Sequence, residues 1–113
     1  MAEKTDLMQG TLDMLVLRTL RGGALHGYAI ANRIQSQSDG LLQVEEGSLY
    51  PALHRMERRG WVVAEWGLSE SKRKAKYYEL TASGRKQLAA KAKSWAKLVG
   101  AIGGVMGTRP AEA

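Results

Sequence analysis

Four positive side chains, Lys72, Arg73, Lys74 and Lys76, fall within five residues. Such a density suits phosphate, because charges in physiological salt act on one another only within a Debye length of about 8 Å. Some twenty residues upstream, the stretch 47–59 sets Leu49, Leu53 and Met56 at spacings of four and three. Its other faces carry Ser48, Tyr50, Pro51, His54, Arg55 and Arg58. Hydroxyls and free N–H groups near a helix start attract phosphate oxygens. Histidine and arginine one turn further suit base edges, and the arginine fork matches guanine. These residue types in this order point to nucleic-acid recognition. Each also has a plainer reading: Ser48 as a helix cap, Tyr50 as a core residue, the basic run as a solvated hairpin tip.

Other chemistries find little support. There is no cysteine, so disulfides and thiolate chemistry are excluded. The two histidines, His26 and His54, have no carboxylate cluster at ligand spacing, so neither a metal nor another cofactor is expected. His26 reads as a capping or structural residue. Gly100, Gly103, Gly104 and Gly107 do not follow a strand and form no nucleotide fingerprint. No nucleophile stands at triad spacing from a base, and an enzyme is not expected. No apolar run reaches the roughly 18 residues of a membrane span. The N-terminus carries Glu3, Lys4 and Asp6 where a signal peptide would be basic and then apolar. A soluble cytoplasmic protein is expected.

The formal charge of +6 is weaker testimony than it looks. Residues 1–40 and 41–60 are each balanced, residues 61–80 hold four basic against three acidic side chains, and residues 81–113 hold six against one. Most of the excess therefore lies outside the segment that would read DNA.

The elements that must position these residues follow from boundary signals. A first helix opens near Thr5 or Asp6, with Asp6 and Gln9 at capping-box spacing. It continues through Leu12, Leu15, Val16, Thr19 and Leu20 and stops at Gly22 and Gly23. A second spans about 27–37, with Ile30 and Ile34 inward, and a short strand over 41–44 could follow. The third starts near Gly47 or Ser48 and ends at Arg59, with Pro51 in its first turn, where a missing N–H costs nothing. Strand-like runs at 61–66 and 76–80 flank a polar loop, and Tyr77 and Tyr78 must point to opposite sides of their strand. The sequence leaves open which of the two is exposed, and Tyr77 is counted with the hairpin's candidate DNA contacts. Thr81 caps a last helix from Ala82 to about Met106. The expected fold is mainly α with a small β-hairpin: a winged helix-turn-helix over 1–80, then a dimerisation helix and tail over 81–113.

The last helix shows Leu88, Trp95, Leu98, Ile102 and Val105 in a three-four rhythm, with Lys91 in the remaining place. That is a seam for another helix. The expected homodimer interface combines Leu88, Trp95, Leu98 and Ile102 with Leu12, Leu15 and Val16 of the first helix.

The segments "HGYAIANRI", "EEGSLYPALHRMERRGWV" and "KYYELTASGRKQL" resemble the signature segments of the PadR family of transcriptional regulators, over about residues 7–98. The single helix after the wing is similar to the compact subgroup of that family. The resemblance implies a homodimer whose third helices enter successive major grooves of a palindromic operator in double-stranded DNA. It also implies repression relieved by a small molecule. Compact members bind flat aromatic effectors between subunits, which makes Trp95 the candidate stacking platform; its plainer role is to fill the interface. Acids of the first helix such as Asp13 could offset the lysines around such a site. Two rivals stand beside this reading, a winged helix that binds protein and a sequence-indifferent architectural protein. The operator, the effector, and repression as against activation are not legible.

Overall fold

A computed structural model of the protein describes residues 9–108. The order is α1 (Gln9–Thr19), a 3-10 turn (Leu20–Gly22), β1 (Leu25–His26), α2 (Gly27–Gln37), α3 (Glu46–Arg58), β2 (Val62–Leu68), β3 (Lys74–Leu80) and α4 (Ala82–Met106). The antiparallel sheet runs β1-β3-β2. The chain is thus mainly helical with a small three-stranded sheet, the winged helix-turn-helix arrangement. The cap expected at Thr5 or Asp6 lies outside the described residues.

One core joins every layer. Leu12, Val16 and Leu17 of α1 meet Ile30 and Ile34 of α2, Leu49, Leu53 and Met56 of α3, Val62, Tyr78 and Leu80 of the sheet, and Leu88 of α4. This corrects part of the expected dimer seam. Leu12, Val16 and Leu88 are buried within their own chain. The cause is the central place of α1, which packs against α2, α3 and α4 together.

Three boundaries differ from the sequence reading. The stretch 41–44 makes only an isolated bridge at Leu42, and the third strand is Leu25–His26, paired with Tyr78 and Tyr77. Two residues are too few to show any alternation. Helix α3 begins at Glu46 after Glu45, with no side-chain cap bond, so Ser48 is not its cap. The Ser48 N–H donates to the Glu45 carbonyl at 3.0 Å. Pro51 consequently falls in the second turn and offers no N–H to the carbonyl of Gly47 four residues back. The hairpin strands each extend two residues further toward the tip than expected, placing Lys74 on the ladder itself.

The wing is fastened to the start of α4 through Thr81. Thr81 Oγ1 accepts from the Gly84 N–H at 3.0 Å and donates to the Gly60 carbonyl at 2.6 Å, while the Thr81 N–H donates to the Trp61 carbonyl at 3.0 Å. Gly84 lies so close to that carbonyl that a Cβ there would overlap it. Since backbone cannot yield as a flexible side chain can, Gly84→Ala is expected to destabilise by roughly 2 kcal/mol or more. Thermal denaturation checks this, and an unchanged melting temperature would contradict the packing described.

Candidate nucleic-acid interface

The connection between α2 and α3, residues 38–45, opens on a tight turn. Gly40 (φ 81°) and Asp39 (φ 53°) take left-handed conformations, and Ser38 Oγ accepts from the Leu42 N–H at 3.0 Å. At the start of α2, His26 is the N-cap, its Nδ1 accepting from the Ala29 N–H at 3.1 Å. Its ring lies edge-on to Tyr77 at 5.3 Å between centroids. The structural role expected of His26 is the one it occupies.

The hairpin rises from the core with a consistent inner face. Val62 and Leu80, then Ala64 and Tyr78, pair next to the helices; beyond the core the same face carries Trp66 with Lys76 and Leu68 with Lys74. Apolar residues thus give way to aromatic and cationic ones as the strands leave the body. The tip is closed by the Ser69 N–H donating to the Arg73 carbonyl at 2.8 Å and by the Arg73 N–H donating to Ser69 Oγ at 3.2 Å. Burial pushes the Tyr78 phenol above the usual tyrosine value, with Lys76 pulling the other way.

Between α2, α3 and the wing lies a groove of about 1210 Å³. It collects Tyr28, Asn32 and Arg33 from α2, Tyr50 and His54 from α3, and Trp66, Arg73, Lys74 and Lys76 from the wing. Tyr50 is neither core nor free. It is 39% exposed, and its ring lies so close over Gly27 that a Cβ there would come within 2.9 Å of the hydroxyl oxygen. Ser48, Pro51, His54 and Arg58 are exposed on α3, and Lys72 and Arg73 are exposed at the tip. Among the described residues Arg33, Arg58, Lys72, Arg73 and Lys74 make no ion pair, so their charge is open to a polyanion.

Three expected contact residues are engaged elsewhere. Arg55 turns toward the core, where its Nη2 donates to Asp13 Oδ1 at 2.9 Å and its buried Nε has no hydrogen-bond partner. Asp13 is only 3% exposed and is committed to Arg55, so its charge is not open to offset lysines of the last helix. Tyr77 is the outward tyrosine, but its hydroxyl donates to the Leu68 carbonyl at 2.8 Å, which braces the wing. Lys76 Nζ lies 3.4 Å from Glu57 Oε1, tying the wing to α3.

Sequence reasoning missed Arg33 and Asn32, although both are the polar complement of the Ile30–Ile34 stripe on α2. It also missed Trp66. Alternation from Val62 through Ala64 assigns that residue to the core, and only the strand's reach beyond the helices exposes it.

On α4, the residues Trp95, Leu98, Val99, Ile102, Val105 and Met106 are exposed at helical spacing. Val99 and Met106 were not anticipated. A smaller cleft of about 440 Å³ opens beside this stripe between α1 and α4, walled by Thr11, Met14, Lys91, Trp95 and Leu98. No described helix is long and apolar enough to cross a membrane.

Known proteins agree with this geometry. The solved structure of a transcriptional regulator from Clostridium thermocellum is 31% identical, with a TM-score of 0.77 over 87% of this chain and 95% of that one. An uncharacterised protein from Lysinibacillus sphaericus is 30% identical over 95 residues, covering 84% of this chain and 87% of the relative. PadR of Bacillus subtilis, solved in complex with operator DNA, is 26% identical with a TM-score of 0.62, over 70% of this chain but only 45% of that longer one. The model of the transcriptional regulator PadR-like family matches residues 16–90, two thirds of the sequence. With α2, α3, the whole hairpin and all of the core but Leu12 inside that match, the chain belongs to the PadR-like family of transcriptional regulators.

Proposed function

We propose that this protein is a homodimeric repressor that binds a palindromic operator in double-stranded DNA and releases it when a small aromatic effector binds. The observation that carries the reading is the convergence of unpaired cations from α2 and the wing on the groove beside the exposed face of α3. In a duplex complex, Ser48, Tyr50, Pro51, His54 and Arg58 face the major groove and its flanking phosphates. Lys72, Arg73 and Lys74 neutralise backbone phosphates, which hold register while base contacts give specificity. Arg55, Lys76 and Tyr77 are positioning residues: they fix the angle between α3, α1 and the wing.

The exposed stripe of α4 supplies the dimer interface, with Trp95, Leu98 and Ile102 at its centre. Turning the stripe against a second copy removes several large apolar side chains from water, each worth about 1.5–3 kcal/mol when fully buried. Ile102→Asp is therefore expected to give a monomer in light scattering with an unchanged circular dichroism spectrum. A dimer of ordinary stability in that variant would move the interface elsewhere. The cleft beside Trp95 supports an effector site at the same seam, with the indole as the stacking surface.

Hydroxyl-radical footprinting of DNA upstream of the protein's own gene tests the reading. Two protected patches are expected on one face, with centres about one helical turn or a whole multiple of a turn apart. Uniform protection along the fragment would favour a sequence-indifferent architectural protein.

A further inference from the structure

We infer that Trp66 is a DNA-contact residue that packs its indole on the deoxyribose of the strand held between the wing and α2, with Tyr28 on the facing wall. The inference rests on the duplex-binding reading above and extends it from charge to apolar contact. Trp66 is 60% exposed and Tyr28 70% exposed, yet both belong to one groove rather than to scattered surface positions. A single exposed aromatic is ordinary, whereas two large ones on opposite walls of a cationic cleft form a built surface.

The placement of Trp66 follows from the hairpin. It continues the face of Val62 and Ala64 but stands one pair beyond the core, opposite Lys76 in the ladder. Lys74 Nζ sits 5.2 Å from the centre of its ring, a cation–π contact that braces the indole plane. Lys76, its partner in the ladder, directs its Nζ over the Tyr78 ring and toward Glu57. The indole thus neighbours one lysine committed to the body of the domain and one, Lys74, that makes no ion pair among the described residues. A sugar–phosphate chain is the occupant that matches this pattern. Its sugar is an apolar disc that an aromatic ring can cover, and its phosphates recur beside that sugar, within the part of the groove that Lys74 and Arg73 line. A flat protein surface would satisfy the aromatics and leave the cations without partners.

The two kinds of contact leave different marks on salt dependence. Removing a cation that meets a phosphate flattens the slope of log K against log salt by about 0.9 per phosphate. Removing an apolar contact lowers affinity at every salt concentration and leaves the slope alone. The test titrates the footprinted operator fragment with wild type, W66A, W66F and K74A at several salt concentrations. W66A is expected to bind about 10-fold more weakly with the wild-type slope, in proportion to the burial of part of an indole. W66F should lie between the two, and K74A should flatten the slope. In parallel, acrylamide quenching of the emission that wild type has in excess of W66F should fall when operator is added.

Wild-type affinity in W66A, or undiminished quenching of Trp66 in the complex, overturns the inference while the regulator reading stands. A W66A slope as flat as that of K74A also overturns it, since Trp66 would then act only through the lysine. Failure of wild type itself to bind any fragment overturns both.

Discussion

Asp13→Ala should lower the melting temperature by about 12–24 °C, the largest stability effect among the substitutions predicted here. Asp13 is buried among Leu12, Val16 and Leu17 and bonds Arg55, forty-two residues away in sequence, at 2.9 Å. Removing one partner of a buried pair strands the other, at a cost of about 3–5 kcal/mol. Because the Arg55 side chain retains 29% exposure, the low end applies, near 3 kcal/mol. Each kcal/mol moves the midpoint of a domain of about this size by roughly 4–8 °C. Replacing both partners, as in Asp13→Leu with Arg55→Met, should recover most of the loss, because an apolar pair carries no desolvation cost. Thermal melts of the three proteins check this. An Asp13→Ala protein that melts within two or three degrees of wild type would show that the pair is not holding α1 to α3.

The second large effect concerns affinity. The triple variant Lys72→Ala, Arg73→Ala, Lys74→Ala should bind operator at least about 100-fold more weakly at about 0.15 M salt, because each phosphate neutralised contributes about 0.9 to the slope. Its slope should flatten by roughly 3 units if one wing of the proposed dimer is fully engaged and by about 5 if both are. Stability should hardly change, since none of the three makes an ion pair and all are exposed. Anisotropy titrations over a range of salt give both numbers. Weaker binding with an unaltered slope would mean that the wing does not touch the backbone.

The parts of this fold that were legible are those with a local cause. Helix α2 spans 27–37 as its apolar spacing and the terminating Ser38-Asp39-Gly40 indicate, and α4 starts where Thr81 caps it. The wing's cations and the exposed face of α3 follow from composition and from the Leu49–Leu53–Met56 stripe. What escaped depends on contacts distant in sequence. Arg55 looks like an outward residue on a helical wheel, and only α1, bringing Asp13 against it, turns it inward. Leu12 and Val16 read as half of a dimer seam because periodicity shows that a face is apolar, not which neighbour covers it. In the same way, β1 exists only because Tyr77 and Tyr78 pass beside Leu25 and His26. For Trp66, alternation gives the face correctly, and the length of the wing decides that this face has left the core.

The most direct test of the central reading is a titration of the purified protein with duplex from upstream of its own gene. A scrambled duplex of the same composition serves as the control, with both followed by anisotropy at several salt concentrations. Recognition through α3 with phosphate neutralisation by the wing predicts tight binding to the native duplex, steep weakening with salt, and at least about a 1,000-fold preference over the scrambled one. Equal affinity for both duplexes would contradict sequence reading by α3, and binding to neither would contradict the assignment of this groove to DNA.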